Sequence, residues 1–481
     1  MGGGTYQKTI FGDGVRVDTG GSSDGLFFAN EFNFQNLLQT TQVHTTLDSR
    51  IEKQSMFGNI ELGYKEMLYL NISGRNDWAS TLALTGNDSY FYPSFGLTAL
   101  LSEMIDLPEF ISFAKFRGTY ANVGNEVPYN RINPVHTVTS SGAVNFNTTK
   151  PFTDAKPEII TTSEIGLDWR FFQNRLGLDF TYYEITSKDQ FIRINQPFED
   201  FTSFFVNAGE ISNKGFELTL NAKPIAKQDF SWTTAINYSQ NKNKIVKLHP
   251  DTQEIGQGGA EGIQVKLVEG GSISDIYAFK FQRDSQNRIL LDETSGRPLK
   301  TAERELIGNA EPDYILGWNN NFVYKDFSLN LQINGKFGGF VASQTEALLD
   351  GYGVSERSAV ARDRGYENIN AVQGTTAVTQ IDPFDYYDTI GGRNGIDEPH
   401  IYDRTSIRLS QLALSYAIDV SSKEWIKSAS ISFIGNNLFY FMKEAPFDPE
   451  ITQSTGRNDA GIDSFNLPST RTYGLNLSLT F

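Results

Sequence analysis

The chain has 481 residues, of which 36 are Phe, 21 Tyr and 43 Gly, with 39% hydrophobic and 20% charged residues. That length admits two or three ordinary domains or one large architecture, and the aromatic and glycine content favours strands and turns over helices. Absent cysteine excludes disulfides, zinc–thiolate sites and thiol nucleophiles, and a formal net charge of −16 argues against a nucleic-acid partner, whose phosphates need Lys and Arg.

The opening "MGGGTYQKTI" lacks the basic and apolar regions of a signal peptide. No run of about 18 apolar residues follows, so no transmembrane helix is expected; strands can cross a membrane without such a run. In "EMLYLNISGR", Leu68, Leu70 and Ile72 alternate with polar residues. In "EIGLDWRFFQNRLGLDFTYY", Ile165, Leu167, Trp169 and Phe171 share one face, then Leu176, Leu178, Phe180 and Tyr182 after a Gln173–Asn174 turn. "FSWTTAINYS" repeats the scheme with Phe230, Trp232, Ile236 and Tyr238. So do Tyr314, Leu316, Trp318, Phe322 and Tyr324, and, after a Lys325–Asp326 turn, Phe327, Leu329, Leu331, Ile333 and Phe337. The final "RTYGLNLSLTF" alternates from Tyr473 through Leu475, Leu477 and Leu479 to Phe481.

Connections alternate as well. Those near 65–66, 173–174 and 325–326 are tight, and those near 102–111, 223–229 and 419–427 modest. Polar stretches at 78–89, 125–158, 191–208, 247–311, 341–400 and 441–468 are long. Short turns at one end and long loops at the other, with an apolar face edged by aromatics and an opposite face of Asn, Ser, Thr, Gly and charges, predict an all-β antiparallel transmembrane β-barrel of about fourteen strands. A soluble sandwich would also bury an apolar face, but its strands usually run about 5–6 residues, shorter than many here.

A series of stretches follows in order along the chain: "GRNDWAS" and "YPSFGL" (74–97), "FRGTYANVGNE" (116–126), "SEIGLDWRFFQNRLGLDFTYYE" (163–184) and "NAGEISNKGFELTL" (207–220). It continues through "SISDIYAFKFQ" (272–282), "IGNAEPDYILGWNNNFVYKDFSLNLQINGKFGG" (307–339), "DRTSIRLSQLALSY" (403–416), "SISFIGNNLF" (430–439), "FDPE" (447–450) and the terminal strand. In these stretches and their order the sequence resembles the C-terminal half of the barrel of SusC-like TonB-dependent transporters of Bacteroidetes, the RagA/SusC outer-membrane family.

The resemblance implies that residues 1–481 supply part of a barrel of about twenty-two strands, with extracellular loops near 125–158, 247–311, 341–400 and 441–468. The plug domain is not in this chain, which looks like a partial sequence. It implies active import of a nutrient in an outer membrane, a glycan oligosaccharide first and a peptide next. A SusD-like surface lipoprotein would act as lid, TonB–ExbB–ExbD would energise the plug, outer-membrane lipid would surround the wall, and two such pairs could form a dimer. A passive porin and a soluble all-β carbohydrate-binding protein are the alternatives. Many relatives carry a calcium-loop-like segment where Asp292 is here followed by Thr294 and Gly296, lacking the alternate carboxylates, so no metal and no cofactor is expected.

Nothing suggests catalysis: no HExxH, no G-x-S-x-G and no phosphate loop occurs, and His44, His136, His249 and His400 read as scattered surface or loop residues. The loop "DPFDYYDTIGGRNGIDEPHIYDR" (382–404) sets Tyr386, Tyr387 and Tyr402 among Asp382, Asp385, Asp388, Asp397 and Arg393. Ring faces beside charges suit a sugar or peptide, though the same rings could simply pack the loop. The candidate substrate-binding residues are Trp78, Tyr129, Tyr352, Tyr386, Tyr387 and Arg393, and Tyr473 and Phe481 are read as a C-terminal barrel-assembly signal. In "FDPE", Pro449 and Asp448 read as a turn and its cap.

Overall fold

The computed structural model describes residues 1–11, 14–18, 42–46, 49–129, 144–194, 200–250, 252–260, 262–421, 425–450 and 461–481, with a few isolated positions between. Parts of the expected loops at 125–158 and 441–468, and of the connection at 419–427, lie outside the described residues.

One antiparallel sheet of 14 strands dominates. Its members are β1 (Gly2–Phe11), β2 (Ser49–Tyr64), β3 (Leu68–Ala79), β4 (Ser89–Leu100), β5 (Ile111–Asn125), β6 (Glu158–Phe171) and β7 (Leu176–Lys188). They continue as β8 (Glu210–Ala226), β9 (Phe230–Lys247), β10 (Tyr314–Tyr324), β11 (Phe327–Phe337), β12 (Ser406–Ile418), β13 (Ser428–Lys443) and β14 (Thr472–Thr480). Each strand pairs with the one before it in the chain, so the path is a simple up-and-down meander. The strand count and the sites of the tight turns agree with the sequence reading. Left-handed φ at Lys65 and Glu66 gives the first hairpin a primed turn, whose twist matches that of its strands.

Alternation sorts side chains by face. Ile60, Leu62, Phe95, Leu97, Ile165, Tyr182, Ile236, Trp318, Leu414, Phe433, Leu475 and Leu477 stand exposed on the outer face. In hydrocarbon even an indole N–H needs a partner. Trp232 Nε1 donates to Asn320 Oδ1 at 3.1 Å, and Trp318 Nε1 to Thr234 Oγ1 at 3.0 Å. Near the long-loop end, the rings of Phe216, Tyr238, Tyr314 and Phe337 stack in succession at 5.3, 5.4 and 4.6 Å across β8 to β11. From Tyr314 to Tyr324 the strand rises roughly 33 Å, or about 25 Å along the membrane normal once tilted, the height of an outer-membrane apolar band.

The inner face is ionic. Arg117 pairs with Glu164 and Asp179, each at 3.3 Å, while Lys115 and Arg170 hold Asp168 at 3.2 and 3.0 Å. Gly166 makes room for this arrangement: a Cβ there would sit 2.4 Å from Arg117 Nε.

The long connections differ from the polar stretches expected, because they are folded. Residues 254–309 contain a four-stranded sheet, and Ile289–Leu291 pairs with Glu367–Gln373, which pairs with Thr376–Ile381. Three helices follow the barrel strand β11: α1 (Gln344–Gly351), α2 (Glu356–Arg364) and α3 (Pro383–Ile390). Phe281, Ile289, Leu291, Ile369, Ile381, Tyr387, Ile390 and Ile396 form their common core. Two segments far apart in sequence supply that core, so neither shows a local period.

Candidate functional site

The helices of this loop assembly start where local chemistry permits. Ser343 Oγ accepts from Glu346 N at 3.0 Å, Ser355 Oγ from Ser358 N at 3.1 Å and Asp382 Oδ1 from Phe384 N at 2.8 Å, with Pro383 at the first helical position. At their C-termini α1 and α3 touch backbone to backbone. Gly392 N donates to Ala347 O at 2.7 Å, and a Cβ on Gly391 would fall 2.2 Å from Gly351 N.

α3 therefore presents Tyr386 and Tyr387 to an open pocket of about 1000 Å³, shared with Arg357, Arg364, Glu367, Tyr402 and Glu444. The two rings meet edge to face at 5.2 Å. Tyr387 is 6% exposed and donates to Glu367 Oε2 at 3.1 Å, while Tyr386 is half-buried and stacks on Phe281 at 6.4 Å. Burial pushes the Tyr386 phenol up to about 12 and raises Tyr387 and Tyr402 as well, so all three remain hydroxyl donors at neutral pH.

Beneath the pocket lies a buried polar knot. Asp350 has no exposed side chain and accepts from Ser355 Oγ at 2.6 Å, from Arg357 Nε at 3.0 Å and from Arg357 Nη2. His400 Nε2 lies 2.9 Å from Asp350 Oδ2, and Arg357 Nη1 donates to the Tyr402 hydroxyl at 3.3 Å. Burial alone would raise the Asp350 pKa, but the bonds from His400, Arg357 and Ser355 outweigh it and hold the carboxyl below its ordinary value. Burial likewise opposes the Arg357 charge, and Asp350 more than restores it. The knot fixes the guanidinium and the Tyr402 ring at the pocket wall. His400 is a loop residue, as read from sequence, but 0% exposed, so its reading as a surface side chain is corrected: the Asp350 carboxylate made its burial affordable.

The remaining candidates lie elsewhere. Tyr352, 75% exposed, and Arg393 share a second pocket of about 310 Å³ with Asp388 and Gly392, on the C-terminal side of α3. Tyr129 is exposed in the connection between β5 and β6. Trp78 stands on the face of Leu68, Leu70 and Ile72, opposite Gln54, and so belongs to the outer wall rather than the pocket. Tyr473 is opposite Gly435 on the outer face, and Phe481 stacks on Trp425 at 5.7 Å.

Several carboxylates offered as ligands for hydroxyls are occupied structurally. Asp385 and Asp388 bind Arg297 at 3.0 and 2.6 Å, Asp397 accepts from Phe279 N at 3.3 Å, and Asp382 caps α3. Asp292 accepts from the amides of Thr294 and Ser295 at 3.1 and 2.7 Å, closing a turn. Asp448 accepts from Tyr440 at 2.6 Å and from Ser469 N at 3.0 Å within its loop. Sequence reasoning missed Asp350, Arg357, Arg364 and Glu367. The capping pattern Ser343–Glu346 and the pair Asp382–Pro383 would have marked the helices, though not what they bring together.

Residues 2–268, more than half of the chain, match the family described as TonB dependent receptor-like, beta-barrel. TonB-dependent receptor P3 of Formosa agariphila is 28% identical over 525 aligned positions, covering 100% of this chain and 50% of that protein. TonB-dependent receptor SusC of Bacteroides thetaiotaomicron is 21% identical, covering 75% of this chain and 36% of its own length. Among solved structures, the RagAB peptide importer in its open-open state shares the fold with a TM-score of 0.74 at 18% identity, over 100% of this chain and 54% of that one. The chain spans about half the length of the curated relatives it matches.

Proposed function

The chain belongs to the TonB-dependent receptor-like β-barrel family, and from that premise we propose that it forms the wall and outer vestibule of an active nutrient importer. The protein is an integral outer-membrane β-barrel protein of SusC/RagA type. The proposed cargo is an oligosaccharide. The observation that carries this reading is the pocket on the long-loop side, where the half-buried Tyr386 and Tyr402 offer ring area and hydroxyls beside Arg357, backed by the buried Tyr387 and its partner Glu367. A peptide is the second reading, favoured by the mixed charges of the same pocket, with Arg357 and Arg364 set against Glu346, Glu356, Glu367 and Glu444. Tyr352 and Arg393, in the second pocket, and Tyr129 would extend the surface that cargo meets, while Trp78, on the outer wall, would lie apart from it.

In this proposal a SusD-like surface lipoprotein closes over the folded loops, TonB–ExbB–ExbD supplies energy through a plug outside this chain, and two such pairs associate. No covalent chemistry is performed, no metal or cofactor takes part, and Tyr473 and Phe481 guide barrel assembly. The test is uptake of fluorescent oligosaccharides and oligopeptides by cells carrying the full-length protein, with and without an uncoupler. Uptake of the saccharide that stops with the uncoupler, and whose KM rises at least several-fold in Tyr386→Ala, supports the proposal. Uptake indifferent to the uncoupler points to a passive pore, and a preference for peptide selects the second reading.

A further inference from the structure

The upper edge of the outer face carries an unexplained concentration of positive charge. Just beyond the stacked rings of Phe216, Tyr238 and Tyr314, on the long-loop side, Lys214 of β8 lies directly opposite Lys242 of β9. Lys244 follows opposite Ser212, and Lys247 opposite Glu210, which is itself opposite Lys188 of β7. Like charges facing each other across a ladder destabilise it, so the arrangement calls for an anion.

The protein answers only part of it. Glu184 binds Lys214 at 2.8 Å and Glu210 lies 3.8 Å from Lys188, while Lys242, Lys244 and Lys247 are exposed and form no ion pair with a described residue. Five lysines thus stand against two glutamates on a chain whose net charge is −16. Their orientation is fixed from the inner side: Asn213 Oδ1 accepts from Asn241 and Asn243 at 3.3 and 2.8 Å, and Asn243 Oδ1 accepts from Ile273 N at 3.0 Å. With those asparagines held inward, strand alternation turns Lys242 and Lys244 out towards the membrane.

Height decides what they meet. Lys214 is two residues beyond Phe216, about 7 Å further along the strand. Aromatic rings mark the boundary between hydrocarbon and headgroups, so Lys214 and Lys242, paired at one height, sit at the headgroups of the outer leaflet, with Lys244 and Lys247 rising two and five residues, roughly 7 and 17 Å along the strand, above them on the same side. We propose that Lys214, Lys242, Lys244 and Lys247 form a binding site for the phosphate of a phosphorylated outer-leaflet lipid, which neutralises the ladder and anchors this sector of the wall. The site lies outside the barrel and is independent of the cargo.

The test uses the full-length protein in phosphatidylcholine nanodiscs containing either lipid A with its phosphates or the same lipid dephosphorylated, with bound lipid counted by native mass spectrometry. A basic side chain near an anionic surface contributes roughly fivefold in affinity, so the preference for the phosphorylated lipid should be on the order of a hundredfold and weaken with salt. The combined variant Lys242→Gln, Lys244→Gln and Lys247→Gln, altered only at exposed positions, should lose the preference without a change in its unfolding temperature. Equal binding of the two lipids, or a preference that survives in the variant, overturns the proposal. So does displacement of the lipid by millimolar inorganic phosphate, which would make the site one for free anions. Crosslinks from Lys242 to a second copy in place of lipid would also overturn it.

Discussion

Replacing Asp350 with Asn tests whether the vestibule is held by its buried ionic knot. The carboxylate receives four donated contacts, from Ser355, from two nitrogens of Arg357 and from His400. An amide of the same shape offers one acceptor and turns N–H groups on the remaining donors, leaving the Arg357 charge without its counterion. Breaking a buried pair in this way costs about 3–5 kcal/mol. Because 34% of the Arg357 side chain remains in solvent, water recovers part of this, which favours the low end, about 3 kcal/mol. That corresponds to roughly a hundredfold more frequent opening of the loop assembly. The core of Phe281, Ile369 and Ile390 is separate from the strand ladder, so opening should be local. Hydrogen exchange of the amides in α1 and α2 should accelerate by about that factor, while those of β10 remain unchanged. Unaltered exchange in the helices, or equal acceleration in β10, would refute the reasoning.

The pH dependence follows from the same group. A carboxyl held below its ordinary value in the folded state contributes stability that is fully present above the unfolded value, about 3.9, and is lost as pH falls through the lower folded value. Exchange protection of α1, corrected for the intrinsic rate, should therefore be flat from pH 8 to about pH 5 and decline only below about pH 4, and Asp350→Asn should remove the decline. On the inner wall, Gly166→Ala should cost about 1–3 kcal/mol by driving Arg117 off Glu164 and Asp179. In an Arg117→Ala background the same change should cost little in urea unfolding, and an undiminished penalty would mean the contact is not the cause. Phe481→Ala removes the ring stacked on Trp425 and should lower the yield of folded barrel in the outer membrane several-fold, read as heat-modifiable band intensity; an unchanged yield counts against the assembly role.

How much of this was legible in sequence depended on the range of the forces involved. Two-residue alternation from Leu68 to Ile72, from Tyr314 to Tyr324 and from Tyr473 to Phe481 is imposed within each strand, because lipid on one side and a wet interior on the other select opposite side chains at successive positions. The sequence by itself therefore determined the strands, their order, their number and which end carries the loops. The pocket was legible only as a list of rings, since Tyr386 and Tyr387 announce chemistry while Asp350, Arg357 and His400 look like ordinary loop polar residues. Only the tertiary structure decided that Ile289 pairs with Ala371, that Asp350 meets His400 across fifty residues, and that Lys214 confronts Lys242. These are contacts between segments with no shared period. Their pairing is selected by burial in a common core and by strand register, neither of which a local stretch of chain contains.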